Sequence, residues 1–271
     1  MACVNADTQS LVGTPTPPNP DGTYLRHLQR HRRMWECKSA VRAQYRRWYR
    51  MIADQMTDLS PSIELGCGCG NFKAFRPDVT ATDIMLTPWC DRVADARRMP
   101  FVDDSVGNLV LFDVLHHVPN PLQVFREASR VLRPGGRIIV VEPLLTGWSR
   151  IVYHFHHEAF DDRSDLFNEP AGCAPLPADY ANAATATILF QKCRREFMRS
   201  VPGLRWVLRR DFSCLAYPLT GGFQSFCLMP AFAVEPLCRV EDFLISRMRC
   251  RFLALRTMVV LEKNDETRRT D

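Results

Sequence analysis

Apolar and polar positions follow two alternating patterns through the middle of the chain. Five short apolar stretches, each typical of a strand, lie between Pro61 and Pro143: SIEL, DVTATDI, DRVAD, NLVLFDVL and GRIIVVEP. Before the last of them, PLQVFREASRVL repeats its apolar residues with the period of an amphipathic helix and ends at RPGG, a helix stop and turn signal. Strands that alternate with helices predict a parallel sheet with helices on both faces.

The segment before this region predicts helical structure. It contains neither proline nor glycine between Tyr24 and Met56, and Val41, Tyr45, Trp48 and Ile52 fall on one helical face. Nine basic residues and a single acid, Glu36, lie between Tyr24 and Arg50. A basic helix of this kind could hold an anionic substrate, a membrane surface or RNA, or it could be a solvated face.

The pattern changes after Pro143. A polar stretch rich in proline and alanine, FHHEAFDDRSDLFNEPAGCAPLPADYANA, reads as a loop or insertion. A helix is predicted over ATATILFQKCRREFMRSV, partial helix over MPAFAVEPLCRVEDFLISRMR, and late strands at LRWVLRRDF and FLALRTMVVLEK. The fold class is therefore α/β: a doubly wound, Rossmann-like, mostly parallel seven-stranded sheet with helices on both faces and an N-terminal helical extension.

The chain of 271 residues is long enough for one substantial core. We divide it into a disordered lead-in (1–22), a basic helical region (23–60), a core (61–143) and a C-terminal part of the same domain (144–271). The lead-in does not read as a signal peptide, and no apolar run is long enough to span a bilayer. The 11 cysteines have no framework spacing, so we expect reduced thiols in a cytoplasmic protein, with peripheral membrane contact as an option.

The stretch SIELGCGCGNF admits three interpretations: a metal clip, a redox pair or a nucleotide-binding turn. Cys67 and Cys69 are separated by one residue, which is not the C-x-x-C redox spacing, and no second pair at zinc spacing follows. Glycines between a strand and a helix let backbone N–H groups approach a ligand closely. This context favours nucleotide binding, and we assign no metal site.

Acidic residues near the strand ends refine this interpretation. The glycine spacing departs from the dinucleotide form G-x-G-x-x-G. Glu64 lies two residues before the first glycine, Asp83 closes the next strand in a position suited to ribose hydroxyls, and Asp95 follows the strand after that.

Four blocks together resemble the class I S-adenosylmethionine-dependent methyltransferases, in particular the broad subgroup that includes ubiquinone and menaquinone methyltransferases and many small-molecule enzymes. The blocks are ELGCGCG, ATDI, DARRMPFVDDSVGNLVLFDVLHHVPNP and VLRPGGRIIVVEP, in the family's order. Asn108 departs from the acid that the family often has at the start of the fourth strand, and we interpret that position as structural.

The resemblance implies S-adenosylmethionine as cofactor and suggests how the site residues contact it. Glu64 would lie near its methionine part, the glycine loop beneath it, Asp83 on the ribose and Asp95 with the Ala96 backbone at the adenine edge, while Asp113 to His117 would line the floor of the active site. The cofactor-binding residues so implied are Glu64, Gly66, Cys67, Gly68, Gly70, Asp83, Ile84, Asp95, Ala96 and Asp113. Tyr45, Trp48 and Tyr49 could form a lid over the cofactor or pack in the core.

A general base is needed only where the acceptor is a hydroxyl or an acidic carbon. His116 and His117 end a strand at the expected ligand edge, and we name His117 and His157 as candidate bases. The polar loop with His154, His156, His157 and Glu158 could also bind a metal, or be merely polar.

The acceptor must be inferred from the least specific part of the chain. The interrupted apolar stretch from Tyr217 to Leu237 could wall a pocket for a small or lipid-linked organic acceptor, methylated on oxygen or carbon. The alternatives are an RNA methyltransferase that uses the basic helix, although no RNA-binding module is recognisable and nucleic acid is the less favoured partner, and a non-catalytic cofactor-binding relative.

Overall fold

A seven-stranded sheet forms the centre of the protein. The computed structural model describes residues 22–156, 159–168 and 180–265, so nearly all of the lead-in lies outside the described residues. The strand order is β3-β2-β1-β4-β5-β7-β6. The strands are β1 (Ser62–Leu65), β2 (Thr80–Asp83), β3 (Arg92–Val93), β4 (Val106–Phe112), β5 (Leu132–Pro143), β6 (Leu204–Phe212) and β7 (Arg256–Lys263).

The predicted sheet is confirmed, including its mostly parallel character. β1 to β5 pair in parallel, whereas β7 runs antiparallel to both β5 and β6. The carboxyl ends of β1, β2, β4 and β5 therefore meet at one edge, where β7 contributes its first residue. Ligands of open α/β sheets bind at this edge, which is called the carboxyl edge below.

Helices cover both faces of the sheet. They are α1 (Thr23–Cys37), α2 (Ser39–Ala53), α3 (Asn71–Phe75), α4 (Pro121–Val131), α5 (Gly147–His156), α6 (Thr185–Thr187), α7 (Arg194–Ser200), α8 (Ala216–Thr220) and α9 (Ala231–Asp242). π turns extend α6 over Ile188–Lys192 and α9 over Phe243–Arg247, and 3-10 turns span Leu115–His117 and Arg251–Leu253.

Alternate residues of the central strands enter two separate cores. Leu109 and Leu111 of β4 pack on one side with Phe125 of α4, while Val110 packs on the other with Trp48 of α2. A strand buried on both faces reads as a continuous apolar run, which is how β4 and β5 appear in the sequence.

The basic N-terminal region consists of two helices that meet at Lys38. The Lys38 ammonium is buried and donates hydrogen bonds to the carbonyl oxygens of Thr220 (3.1 Å) and Gly222 (2.9 Å). Tyr45, Trp48 and Tyr49 are buried in the core with α2, so these rings pack against the sheet instead of forming a lid.

Asn108 has the structural role that its position in β4 suggests. Its amide group is fully buried and donates to the carbonyl oxygens of Thr57 and Leu59 and to Ser62, while its oxygen accepts the Thr57 N–H at 2.8 Å. These bonds fasten the segment before β1 to β4. Among the helices that the structure describes, none has the length and apolar composition that crossing a bilayer requires.

Candidate functional site

The glycine turn lies at the carboxyl edge, between β1 and α3. Gly66, Gly68 and Gly70 have φ angles of 73°, 53° and 69°, values that glycine adopts without steric penalty. A Cβ on Gly66 would lie 2.5 Å from Cγ2 of Val114, so the segment after β4 approaches this turn too closely for any side chain. The φ angle and the contact with Val114 therefore both require glycine at position 66.

Asp83 ends β2 and faces this turn. Its Oδ2 accepts the Gly68 N–H at 2.9 Å, and the Tyr24 hydroxyl lies 3.3 Å from both carboxylate oxygens. Burial raises the pKa of Asp83, and hydrogen bonds from the Gly68 and Met85 amides and from Tyr24 oppose that shift. Asp83 thus lies against the glycine turn, and a tyrosine of α1 contacts it. Its role towards the ribose stays a prediction.

Glu64 has an unsatisfied oxygen inside the site. The side chain is buried within β1, and its Oε2 has no hydrogen-bond partner among the described residues. Burial, with the Asp83 carboxylate as a second cause, raises the pKa of Glu64 to about 8. A buried acceptor of this kind is satisfied by a bound cationic or hydrogen-bonding group.

The residues present therefore fit S-adenosylmethionine. Glu64 would hold the amino acid part of the cofactor, the turn at Gly66 to Gly70 would approach it through backbone groups, and Asp83 would accept its ribose hydroxyls. The orphaned Glu64 oxygen and the positive φ angles of the turn are the observations on which this fit depends.

The cysteines of the turn are buried and unreactive. Burial raises the pKa of the Cys67 thiol and raises that of Cys69 to about 11, so neither is an activated thiolate. Asn71 donates to the Cys69 sulfur at 3.3 Å. Within the described ranges, no three histidine, cysteine or acidic side chains group in a way that could hold a metal ion.

Three predicted cofactor residues follow the ends of β2 and β3: Ile84, and the pair predicted at the adenine edge, Asp95 and Ala96. Ile84, directly after Asp83, is 40% exposed. The carboxylate of Asp95 accepts hydrogen bonds from the Arg97 backbone and side chain, with an ion pair of 2.8 Å, and Ala96 packs against the core. The carboxylate of Asp95 already has a cationic partner, and its contact with the adenine stays a prediction.

The pair His116 and Glu142 forms a hydrogen-bonded dyad at the same edge. Nδ1 of His116 donates to Oε2 of Glu142 at 2.6 Å, and the other carboxylate oxygen accepts the N–H groups of Val114 and Leu115. Glu142 is completely buried. This geometry places the proton on Nδ1 and leaves Nε2 of His116 as the basic nitrogen.

His117, which the sequence suggested as a base, is hydrogen-bonded to a carbonyl oxygen instead of a carboxylate. Its Nδ1 donates to the Tyr180 carbonyl oxygen at 3.1 Å, and its ring lies 4.0 Å from that of His116. Desolvation, with the His116 ring as a second cause, lowers the pKa of His117. Glu142 could have been suspected from its position at the end of the fifth strand, but the sequence does not show which histidine it contacts.

An ion pair that sequence reasoning missed closes the floor of the site. Asp113, which has a φ angle of 57°, pairs with Arg256, the first residue of β7. The guanidinium of Arg256 is buried among the rings of Trp48, Phe112 and Tyr217, at 4.7, 5.6 and 5.1 Å. Asp113 and Arg256 lie 143 positions apart, so only the fold brings them together.

The histidine loop contributes little that can be described. His154 lies exposed on α5, whereas His157 and Glu158 lie outside the described residues. The suggestion that His157 acts as a base stays a prediction.

Several cations of the basic region are engaged within the protein. Arg47 forms ion pairs with Glu235 (2.6 Å) and Asp242 (2.5 Å) of α9. Arg32 contacts Glu36 and the Cys69 carbonyl oxygen, and Lys38 is buried. The segment therefore holds α1 and α2 to the rest of the molecule, and fewer of its charges face solvent than the sequence suggests.

Comparison with known proteins identifies the central region. Residues 63–140 match the family described as methyltransferase domain. A 27-O-demethylrifamycin SV methyltransferase from Amycolatopsis mediterranei is 35% identical over 104 residues, 30% of this chain and 38% of that protein. A demethylmenaquinone methyltransferase from Paenarthrobacter aurescens is 29% identical over 127 residues, 40% of this chain and 50% of that protein. The match thus spans half or less of these relatives' own length.

A solved structure resembles the entire fold. A SAM-dependent methyltransferase from Thermotoga maritima aligns with a TM-score of 0.55, covering 90% of this chain and all of that one, at 12% identity. At this identity the likeness establishes the architecture.

Proposed function

We propose that this chain, whose residues 63–140 match the methyltransferase domain family, is a class I S-adenosylmethionine-dependent methyltransferase. Its acceptor would be a hydroxyl group of a small or lipid-linked organic molecule. The observation that carries the proposal is the His116–Glu142 dyad at the carboxyl edge of the sheet. The whole activity and the acceptor class are inferences from this geometry, supported by the relatives that are named as methyltransferases.

The cofactor, when bound, supplies a methyl group already activated by its sulfonium. The protein must then orient the acceptor and exclude water. Glu64, the glycine turn and Asp83 would hold the cofactor beside Val114, two residues before His116. The dyad and the cofactor site therefore share one edge of the sheet.

His116 would take the proton of the acceptor hydroxyl on Nε2. The imidazolium that forms would be stabilised by the Glu142 carboxylate at 2.6 Å, as an acid behind a histidine does in other enzymes. Glu142 also fixes the ring orientation, because its second oxygen is held by two backbone N–H groups. Among the described residues, His117 forms its side-chain hydrogen bond with a carbonyl oxygen and not with a carboxylate, so no acid would stabilise its imidazolium in the way that Glu142 would stabilise that of His116.

The test uses cofactor that carries a labelled methyl group and a fractionated cell extract. We expect label in the organic fraction, and we expect His116→Gln to reduce the transfer by about 10²–10⁴-fold without loss of cofactor binding. His117→Gln is the matched control and should retain most activity. Cofactor binding without label in any fraction would favour a non-catalytic relative instead.

A further inference from the structure

Large apolar side chains project into solvent from the C-terminal helices. Phe232, Val240, Phe243, Met248 and Phe252 are 82%, 54%, 57%, 58% and 63% exposed, and they are called the phenylalanine face below. Clusters of exposed apolar residues on a domain surface usually mark an interaction site.

Three residues of the phenylalanine face lie on one side of a helix whose other side is buried. Phe232, Val240 and Phe243 follow one another at intervals of eight and three residues along α9 and its π turn, so they lie on the same side. Val234 and Cys238 face inward and pack with Ala40 of α2. Packing of the inner side is sufficient to hold the helix in place. No element among the described residues covers its outer side.

Positive charge accompanies the face. Arg247, Arg249 and Arg251 are exposed between Phe243 and Phe252, and none forms a hydrogen bond or ion pair with a described residue. From Phe243 to Leu253 the sequence contains no acid. These three charges are therefore available to a partner.

The acids of α9 do not neutralise these arginines. Glu235 and Asp242 form ion pairs with Arg47. Glu241 is buried and accepts the backbone N–H groups of residues 214–216 at 3.1, 2.5 and 2.6 Å. The exposed face is consequently apolar and cationic together.

The phenylalanine face adjoins the carboxyl edge of the sheet. Phe252 precedes Arg256 by four residues, and Arg256 pairs with Asp113 on the floor of the site. The 3-10 turn that carries Phe252 packs against α5, whose Ile151 is also exposed. The end of the phenylalanine face that carries Phe252 therefore lies close to the carboxyl edge.

We propose that the phenylalanine face docks on the surface of an anionic lipid bilayer. Rings that protrude singly can enter the boundary between headgroups and acyl chains, while arginines contact the lipid phosphates. A second copy of the chain fits less well, because a two-fold contact would bring the unpaired arginines of both copies together. A bilayer also requires no shape complementarity from a convex helix.

Docking would bring the carboxyl edge of the sheet towards the membrane surface, where a lipid-linked acceptor is found. This consequence rests on the proposed function. The docking itself does not, because vesicle binding can be measured without methyl transfer.

The test is co-sedimentation of the full chain with vesicles of phosphatidylcholine alone or mixed with phosphatidylglycerol. We expect binding to the anionic vesicles that weakens at high salt. Arg247→Gln with Arg251→Gln should weaken it about 25-fold, since each arginine near such a surface contributes about fivefold. Phe232→Ser with Phe252→Ser should weaken it at least about tenfold.

Matched controls come from exposed positions outside the phenylalanine face. Val102→Ser removes an apolar side chain that is 76% exposed, and Arg126→Gln with Arg133→Gln removes two exposed charges; neither should alter vesicle binding. Thermal melting identifies any variant that fails to fold. If the phenylalanine variant does not fold, the variant Arg247→Gln with Arg251→Gln tests the proposal by itself. The proposal would be overturned if the parent failed to bind the vesicles, or if the controls lost as much binding as the other variants. It would also be overturned if light scattering showed a dimer that the Phe232→Ser, Phe252→Ser variant dissociates.

Discussion

The Tyr24 hydroxyl lies 3.3 Å from both carboxylate oxygens of Asp83, although the two residues are 59 positions apart. A helix of the basic N-terminal region thus supplies a donor to the residue expected to receive the ribose hydroxyls. The ribose and the tyrosine would compete for the same acceptor atoms.

Removing the tyrosine hydroxyl should therefore favour the cofactor. In Tyr24→Phe, Asp83 loses a hydrogen bond in the free protein but not in the complex, so we expect S-adenosylmethionine to bind about fivefold more tightly, the equivalent of one hydrogen bond of about 1 kcal/mol. Titration calorimetry measures the change. Weaker binding in this variant would mean that Tyr24 contacts the cofactor itself.

The Glu64 carboxylate should lower the stability of the folded protein and strengthen cofactor binding. Its folded pKa is about 8 against an ordinary 4.5, so the folded state prefers the protonated carboxyl. The stability of the parent should accordingly be highest below about pH 4.5, as far as this group is concerned, and should fall as the pH rises through about 8. Glu64→Gln should be more stable at pH 8 by about 2–4 kcal/mol, yet bind the cofactor more weakly.

Denaturant unfolding between about pH 4.5 and 8 measures whether the free energy of unfolding falls as the pH rises. Glu196→Gln, at an exposed glutamate on α7, is the control and should keep the slope of the parent. A Glu64→Gln variant with the parent's pH slope would contradict the assigned pKa.

Two glycines with similar φ angles allow the energetic cost of a steric contact to be distinguished from that of backbone strain. Gly66 (φ 73°) faces Val114, whereas Gly135 (φ 77°) has no atom within 4 Å of the Cβ position. Gly135→Ala should cost about 1 kcal/mol of folding free energy, and Gly66→Ala about 2–4 kcal/mol because overpacking is added. Equal losses in urea unfolding would show that the contact with Val114 relaxes freely.

Neighbouring arginines of α2 should behave differently. Arg47 joins two acids of α9, so Arg47→Ala should lower the free energy of unfolding by about 1–3 kcal/mol, whereas Arg46→Ala, at an exposed position, should change it by less than about 0.5 kcal/mol. Thermal and denaturant unfolding measure both.

The same region tests the RNA alternative. The parent should bind RNA weakly at about 150 mM salt, where surface charges are screened. Tight, salt-sensitive binding that disappears in Arg46→Ala with Arg50→Ala, both at exposed positions, would instead support an RNA methyltransferase.

Local sequence patterns were sufficient to predict the fold. The continuous apolar run of β4, the helical period of Pro121–Val131 and the glycine turn each depend on neighbours in the chain. The alternation of strands with helices predicted the mostly parallel sheet, although not the order of its strands. The positions of Glu64 and Asp83 beside the glycine turn follow from strands that the sequence reveals, while their roles towards the cofactor were implied by the family resemblance and stay predictions.

Contacts between distant segments could not be predicted. Asp113 with Arg256, His116 with Glu142, and Tyr24 with Asp83 depend on how helices and strands pack. The aromatic residues of α2 were equally consistent with a lid, since a helical stripe does not reveal what it packs against. The basic charge of α1 and α2 likewise gave no sign that Arg47 was already paired.

Transfer of labelled methyl groups from S-adenosylmethionine into a fractionated extract, by the parent and by His116→Gln, tests the central claim most directly. We expect label in the organic fraction with the parent, a loss of about 10²–10⁴-fold in the variant, and cofactor affinity unchanged within about threefold. Label in RNA or protein, or a His116→Gln variant as active as the parent, would contradict it.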